Sequence, residues 1–255
     1  MVNVHGIRPM FSQSVWKKAI RFAVHEHYQS FYIPPGTGKP SDKMDLDACR
    51  RGNLTGDYVM AIAGRYKVAR GVVVKKGNRS ENADAIASAV NALSNSNWAN
   101  QDLKIRALEC QKIAEELCKP GVAKNGGART EGKQVSLVSK LAWFVEPDGW
   151  TLYDSLASAA LGVNSFEKFY CALDTRGFFD LSAQLNAELA TSPHKDLFGE
   201  RIIDKFLWVC GQSMAGVDRF LRKPEIASRK HPKSVDDLAN AIAANHANDF
   251  IKLLG

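Results

Sequence analysis

Apolar residues recur at intervals of three and four along most of this chain, the spacing of a helix with one buried face. Trp16, Ala19, Ile20, Ala23 and Val24 repeat in this way, and so do Ala87, Val90 and Leu93. Between 102 and 118 the residues Ile105, Leu108, Ile113, Ala114 and Leu117 make another stripe, which Lys119-Pro120-Gly121 stops. The next helix is predicted to start near Lys133, capped by Thr130 or the flexible Gly132, of which Thr130 is the better acceptor. Asp154 reads as the N-cap of a helix ending at Gly162, and Asn164 with Glu167 forms a capping-box-like start for another. Longer helices are predicted around 181–189, 199–214 and 235–254, with loops at 34–42, 119–131 and 223–234. A single run, Gly71-Val72-Val73-Val74, is strand-like. The pattern predicts an all-α fold in two lobes, about 1–97 with the C-terminal helix 234–255, and about 98–222.

Composition narrows the class. A chain of 255 residues can bury a real core without staples. Its cysteines, Cys49, Cys110, Cys118, Cys171 and Cys210, include no C-x-x-C pair and read as reduced core thiols. No apolar run is long enough for a membrane span, and the start, Met1 to Pro9, lacks the order of a signal peptide, so a cytoplasmic protein is expected. The formal net charge of +7 and a pI of about 9.1 favour a polyanionic partner. The charge is clustered: Arg65, Lys67, Arg70, Lys75, Lys76 and Arg79 follow one another with no acid between, and Tyr66 sits among them. A second cluster, Arg222, Lys223, Arg229, Lys230, His231 and Lys233, contains only Glu225. Each alone reads as a solvated face.

Two suggestive motifs fail on inspection. Pro34-Pro35-Gly36-Thr37-Gly38-Lys39 looks like a phosphate-binding loop, but Ile33 stands where the first glycine belongs and Pro40 replaces the magnesium-binding hydroxyl. The preceding segment also reads as helix rather than strand. His25-Glu26-His27 resembles a metal cluster, yet alternate residues on a helix point some 200° apart, which makes a surface helix the better reading. His194 follows Pro193 in a loop with no obvious partner.

The chemistry concentrates in Ser136-Leu137-Val138-Ser139-Lys140-Leu141-Ala142-Trp143-Phe144-Val145-Glu146-Pro147, followed by Tyr153-Asp154. It sets a lysine on an apolar helix and an aspartate at the start of the next. An amine and a carboxylate are the groups needed to attack a sugar C1′ and to hold a developing oxocarbenium charge. Taken singly, Lys140 reads as a snorkelling lysine and Asp154 as a plain cap. The whole segment, with its Trp143-Phe144 pair and its Tyr153-Asp154-Ser155 restart, resembles the core of the helix-hairpin-helix DNA glycosylase superfamily. It is nearest to bacterial chains with the 8-oxoguanine glycosylase fold. Arg201-Ile202-Ile203-Asp204-Lys205-Phe206-Leu207-Trp208 resembles the late helix of that group. The likeness is moderate over 98–212 and weak over the first hundred residues.

The resemblance implies a two-lobed helical glycosylase-like fold and excision of a damaged base, an oxidised purine by the fold likeness, after it is flipped out of the duplex. It also implies that a lysine attacks C1′ while Asp154 supports the sugar cation. Lys133 and Lys140 are both candidates: the first lies at the expected helix start, the second within the Ser-Lys-x-x-Trp-Phe pattern. Seven residues apart, they share a face about 10 Å apart along the axis, so only one can reach the reacting carbon. A water-based reaction using Asp154 alone is the third possibility. Trp150, in the turn Pro147-Asp148-Gly149-Trp150, is the expected exposed stacking residue, with Tyr153, Trp143 and Trp208 as further base contacts, although helical spacing favours a core role for the two tryptophans on helices. Arg65, Lys67, Arg70, Lys75, Lys76, Lys124 and Arg129 are the expected phosphate contacts. No metal or organic cofactor is implied, and a monomer acting on DNA is expected. One departure stands out: the hairpin usually reads Leu-Pro-Gly-Val-Gly, whereas here Pro120-Gly121-Val122 runs into Ala123 and a polar insertion. That departure favours the alternative, a non-catalytic module retaining the fold for DNA binding or protein contact.

Overall fold

The computed structural model describes residues 12–32, 40–68, 79–95, 97–117, 131–214 and 231–255, and every regular element among them is helical. In chain order these are α1 (Gln13–Phe31), α2 (Asp42–Cys49), α3 (Gly56–Arg65), α4 (Arg79–Asn91), α5 (Leu103–Leu117), α6 (Glu131–Val145), α7 (Ser155–Ala160), α8 (Phe166–Thr175), α9 (Phe178–Ala190), α10 (Gly199–Met214), α11 (Lys233–Asn245) and α12 (Ala247–Leu253). The all-α class follows. No described helix is long and apolar enough to cross a membrane. The strand-like run at 71–74, the glycine-rich loop at 121–129 and the phosphate-loop look-alike at 34–39 lie outside the described residues.

The caps show how local chemistry sets the helix starts. Ser41 Oγ accepts from the Met44 amide at 3.1 Å, and Asp154 Oδ1 accepts from Leu156 at 2.9 Å, each satisfying a helix N–H that has no carbonyl partner. Helix α7 ends at Ala160, and Gly162 two residues on takes a φ of +71° that suits glycine. Three expected boundaries shift. Ser165, not Asn164, caps α8, its Oγ accepting from Lys168. Helix α6 begins at Glu131, which puts Gly132 inside it. The C-terminal helix breaks at His246 into α11 and α12.

The chain forms two compact units, Met1–Ile33 with Asp154–Gly255, and Pro34–Tyr153. This differs from the expected lobes, because only α1 of the first hundred residues joins the C-terminal helices. The apolar stripe of α1 explains it: Trp16, Ala19, Ile20, Ala23 and Val24 are buried, and α1 packs on α10 and α11. In that first unit Trp16 lies 6.2 Å from Phe206, which in turn meets Phe250 of α12 at 4.8 Å. Helices α7 and α10 approach backbone to backbone. A Cβ on Gly211 would stand 1.9 Å from the Leu156 carbonyl oxygen, so only glycine fits.

In the second unit, α6 is buried all round, with Val135, Leu137, Val138, Leu141, Ala142, Trp143, Phe144 and Val145 in the core. A helix with apolar residues on most of its circumference is an interior one. Around it pack α5, α4, α2 and α3. The polar residues on α6, Gln134, Ser139 and Lys140, are buried with it.

Candidate functional site

Lys140 lies in the third turn of α6 and is 3% exposed. Its Nζ donates to Ser136 Oγ at 2.8 Å, one turn back on the same helix, and to the Tyr153 carbonyl at 2.6 Å. Ser136 Oγ in turn donates to that carbonyl at 3.3 Å. Ser139, on the neighbouring face, accepts from the Tyr153 amide through Oγ at 2.7 Å. Two serines and a lysine of one helix therefore grip both sides of a single residue's backbone. Tyr153 is joined by one peptide bond to Asp154. The bland reading of Lys140 as a snorkelling surface residue does not hold, since its side chain is buried and its amine ends on Ser136 and the Tyr153 carbonyl.

Lys133 falls in the first turn of α6, as the sequence predicts, and its side chain lies outside the described set. The two lysines thus sit in different settings: one at the mouth of the helix, the other deep in its middle. Asp154 opens the second segment of the first unit as the N-cap of α7, half-buried, with Oδ1 on the Leu156 amide. The plain-cap reading of Asp154 is therefore correct as far as it goes. A carboxylate accepting one N–H through one oxygen has further acceptor capacity.

Trp150 corrects an expectation. It is 0% exposed, and its Nε1 donates to the Ser139 carbonyl at 3.0 Å. Its ring meets that of Trp98 at 4.9 Å. Beside this pair lies Arg106 of α5, its guanidinium 4.0 Å from the Trp98 centroid and 5.3 Å from that of Trp150. Arg106 Nη1 donates to the carbonyls of Asp148 and Gly149 at 2.9 and 3.0 Å, and Nη2 reaches Glu146 at 3.5 Å. Trp150 therefore braces the 146–150 turn and offers no face to a base. Trp143 is buried as helical spacing suggests, Trp208 is half-buried on α10, and Tyr153 is half-buried.

Sequence reasoning missed Ser136, Ser139, Arg106 and Trp98. The serines had a readable signal: hydroxyls one turn and one residue before Lys140 in an otherwise apolar helix must find partners inside. Arg106 had none, because its carbonyl partners lie forty residues further along.

The first basic cluster also changes character. Arg65 does not stand free for phosphate: Nη1 lies 3.2 Å from Asp42 Oδ1 and from the Pro40 carbonyl, and Nη2 pairs with Asp45. The Tyr66 hydroxyl donates to Asp42 at 2.8 Å. Lys67 is exposed, at a φ of +56°. Arg70, Lys75, Lys76, Lys124 and Arg129 lie outside the described residues, as do Arg222, Lys223, Arg229 and Lys230.

His25 and His27 part company as helix geometry requires, but His27 is no surface residue. It is wholly buried, and Nε2 accepts from the Phe198 amide at 3.0 Å. Burial, reinforced by the charges of Arg201 and Lys205, holds it well below the usual histidine value, so it is a neutral acceptor. His25 stacks on His231 with centroids 4.1 Å apart and contacts Asp236 at 2.9 Å. His194 does find a partner, Ser234 Oγ at 3.0 Å. Burial pushes the Cys49 thiol up to about 12, and those of Cys110 and Cys210 higher still, which makes the three poor nucleophiles.

No protein-family model, curated protein or solved structure matches the chain.

Proposed function

We propose that the protein is a DNA glycosylase with abasic-lyase chemistry, acting as a monomer on a duplex with a flipped base, and that Lys140 supplies the attacking amine. The observation that carries this reading is the buried Lys140 amine, held by the Ser136 hydroxyl and the Tyr153 carbonyl, in a segment one peptide bond before Asp154. A lysine taken out of water on a long apolar helix needs a reason, since burying an ammonium costs several kcal/mol (about that much per ion) unless partners offset it. Nucleophilic use is such a reason, because a fixed, dehydrated amine attacks more readily than a solvated one. The net charge of +7 supports a polyanionic substrate.

The chemistry balances without an outside acid. As the C1′–N bond breaks, its electron pair leaves on the base, and the Nζ lone pair forms the new bond to C1′. Opening of the C1′–O4′ bond then gives an iminium. Of the three hydrogens on the starting ammonium, one stays on the iminium nitrogen, one goes to O4′ and one to the departed base. Asp154, as the resemblance implies, stabilises the positive sugar on the way. The substrate class that fits is a modified purine in DNA.

The test is borohydride trapping on duplexes carrying a panel of modified purines. Borohydride reduces the iminium to a secondary amine and leaves protein and DNA covalently joined. A trapped complex is expected with the unaltered chain and with Lys133→Gln, and none with Lys140→Gln. Asp154→Asn is expected to abolish base release while sparing DNA affinity. Trapping that survives Lys140→Gln and vanishes with Lys133→Gln would move the nucleophile to the helix start. Base release without any trapping would mean attack by water, and neither release nor trapping would leave a binding module.

A further inference from the structure

Attack on C1′ requires more of Lys140 than burial. The amine must stay in one place while its hydrogen count changes, and each form needs different partners: an ammonium offers three donors, a neutral amine two donors and a lone pair. The Tyr153 carbonyl can serve only as an acceptor. Ser136 is different, because a hydroxyl both donates and accepts, and its hydrogen turns freely about the C–O bond. In the present arrangement Ser136 Oγ accepts from Nζ at 2.8 Å, while its own hydrogen points to the Tyr153 carbonyl at 3.3 Å. All three groups are held by the backbone of one helix and of Tyr153, the second pinned by Ser139 at 2.7 Å.

We propose that Ser136 is a positioning residue for the Lys140 amine: its hydroxyl accepts from the charged form, turns to donate to the nitrogen once a proton has passed to the leaving base, and swings back to the Tyr153 carbonyl as the lone pair is released for attack. This rests on the glycosylase reading of Lys140. No atom moves but one hydroxyl hydrogen, and the nitrogen keeps its place throughout. The spacing makes the exchange feasible, since 2.8 Å and 3.3 Å are both hydrogen-bond distances measured from the same oxygen. An alanine at 136 removes the rotor and leaves the lysine stem, the helix and the Tyr153 carbonyl in place. Threonine restores a hydroxyl at this half-buried position.

Two measurements on the full-length chain test this. The first is single-turnover base release and borohydride trapping on the best substrate of the panel. Ser136→Ala is expected to lower the rate about tenfold to a hundredfold, the size of effect that goes with a misplaced reacting group, with DNA affinity unchanged. Ser136→Thr is expected to regain most of it. The second needs no turnover: the ¹⁵Nζ resonance of Lys140, identified by its absence in Lys140→Gln, is expected to be sharp in the unaltered chain and in Ser136→Thr, and broadened or shifted in Ser136→Ala. Full activity in Ser136→Ala, while Lys140→Gln abolishes trapping, would overturn the role of Ser136 and leave the glycosylase reading standing. An unchanged ¹⁵Nζ signal in Ser136→Ala would overturn it equally. Loss of activity in both Ser136→Ala and Ser136→Thr with equal loss of thermal stability would reduce Ser136 to a packing residue. A responsive signal in a chain that excises nothing would remove the reaction, and with it any positioning role.

Discussion

Arg106 and Lys140 are two cations buried within the same unit, 1% and 3% exposed, and they are held in opposite ways. Arg106 is locked: it lies over the Trp98 ring, near that of Trp150, and three carbonyls of one turn receive its hydrogens. A guanidinium does not lose its proton in proteins, so every partner can be a permanent acceptor. Lys140 ends on a flexible stem, with a carbonyl and a hydroxyl able to reverse its bond among its partners. An amine can shed a proton, which the proposed reaction requires of Lys140. The contrast separates a charge used as a fastener from one that, under the proposed reading, changes during the reaction.

Removing each cation should therefore do different damage. Arg106→Met leaves three turn carbonyls without their donor, each unsatisfied acceptor costing about 1–3 kcal/mol, so a loss of about 3 kcal/mol or more in stability is expected by chemical denaturation. Lys140→Met is expected to abolish trapping while changing stability by no more than about 1 kcal/mol, because exchanging a buried charge for an apolar chain of similar volume is often neutral. A large stability loss on Lys140→Met, or none on Arg106→Met, would erase the distinction. A smaller effect sharpens it: Trp150→Phe removes the ring N–H that reaches the Ser139 carbonyl and should cost about 1–3 kcal/mol.

His27 extends the comparison to a base kept uncharged. Its folded value is depressed below the ordinary 6.5, so the unfolded chain binds more protons as the pH falls through that region. Stability contributed by neutral His27 is complete above about 6.5 and is lost progressively below it, until the depressed folded value is passed. His25 and His194 are lowered as well, by burial first, and add to the same slope. His27→Gln keeps an acceptor for the Phe198 amide, and the expected outcome is a shallower fall in stability between neutral and mildly acidic pH. An unchanged slope would mean that the burial of His27 is not what the acid response reads.

Much of this architecture was legible in short-range pattern, and its failures have a common cause. The stripe from Trp16 to Val24 announced α1, and Asp154 announced α7, because each depends on neighbours within two turns. The turn at Pro147-Asp148-Gly149 suggested an exposed Trp150, but Arg106 folds that turn inward from another helix. The basic run beginning at Arg65 suggested a free phosphate grip, but Asp42 and Asp45, twenty and more residues earlier, neutralise its first member. Asn164 and Ser165 are adjacent cap formers, and sequence alone does not choose between them. The candidate site divides along the same line. The lysine and the aspartate stand out by type and spacing, whereas the Ser136 and Ser139 hydroxyls matter only because residue 153 comes back beside them.

Gly211 carries a consequence for recognising relatives of this chain. With the Leu156 carbonyl 1.9 Å from where a side chain would begin, α7 can lie against α10 only if that position stays bare. Leu156 is also the residue whose amide Asp154 caps. A sequence that keeps the Ser-Lys-x-x-Trp-Phe stretch and the following Tyr-Asp, yet has even alanine in place of this glycine, must seat the helix behind its aspartate differently. One absent methyl group, over fifty residues downstream, is thus a sharper criterion for sorting true counterparts than any further likeness around the lysine.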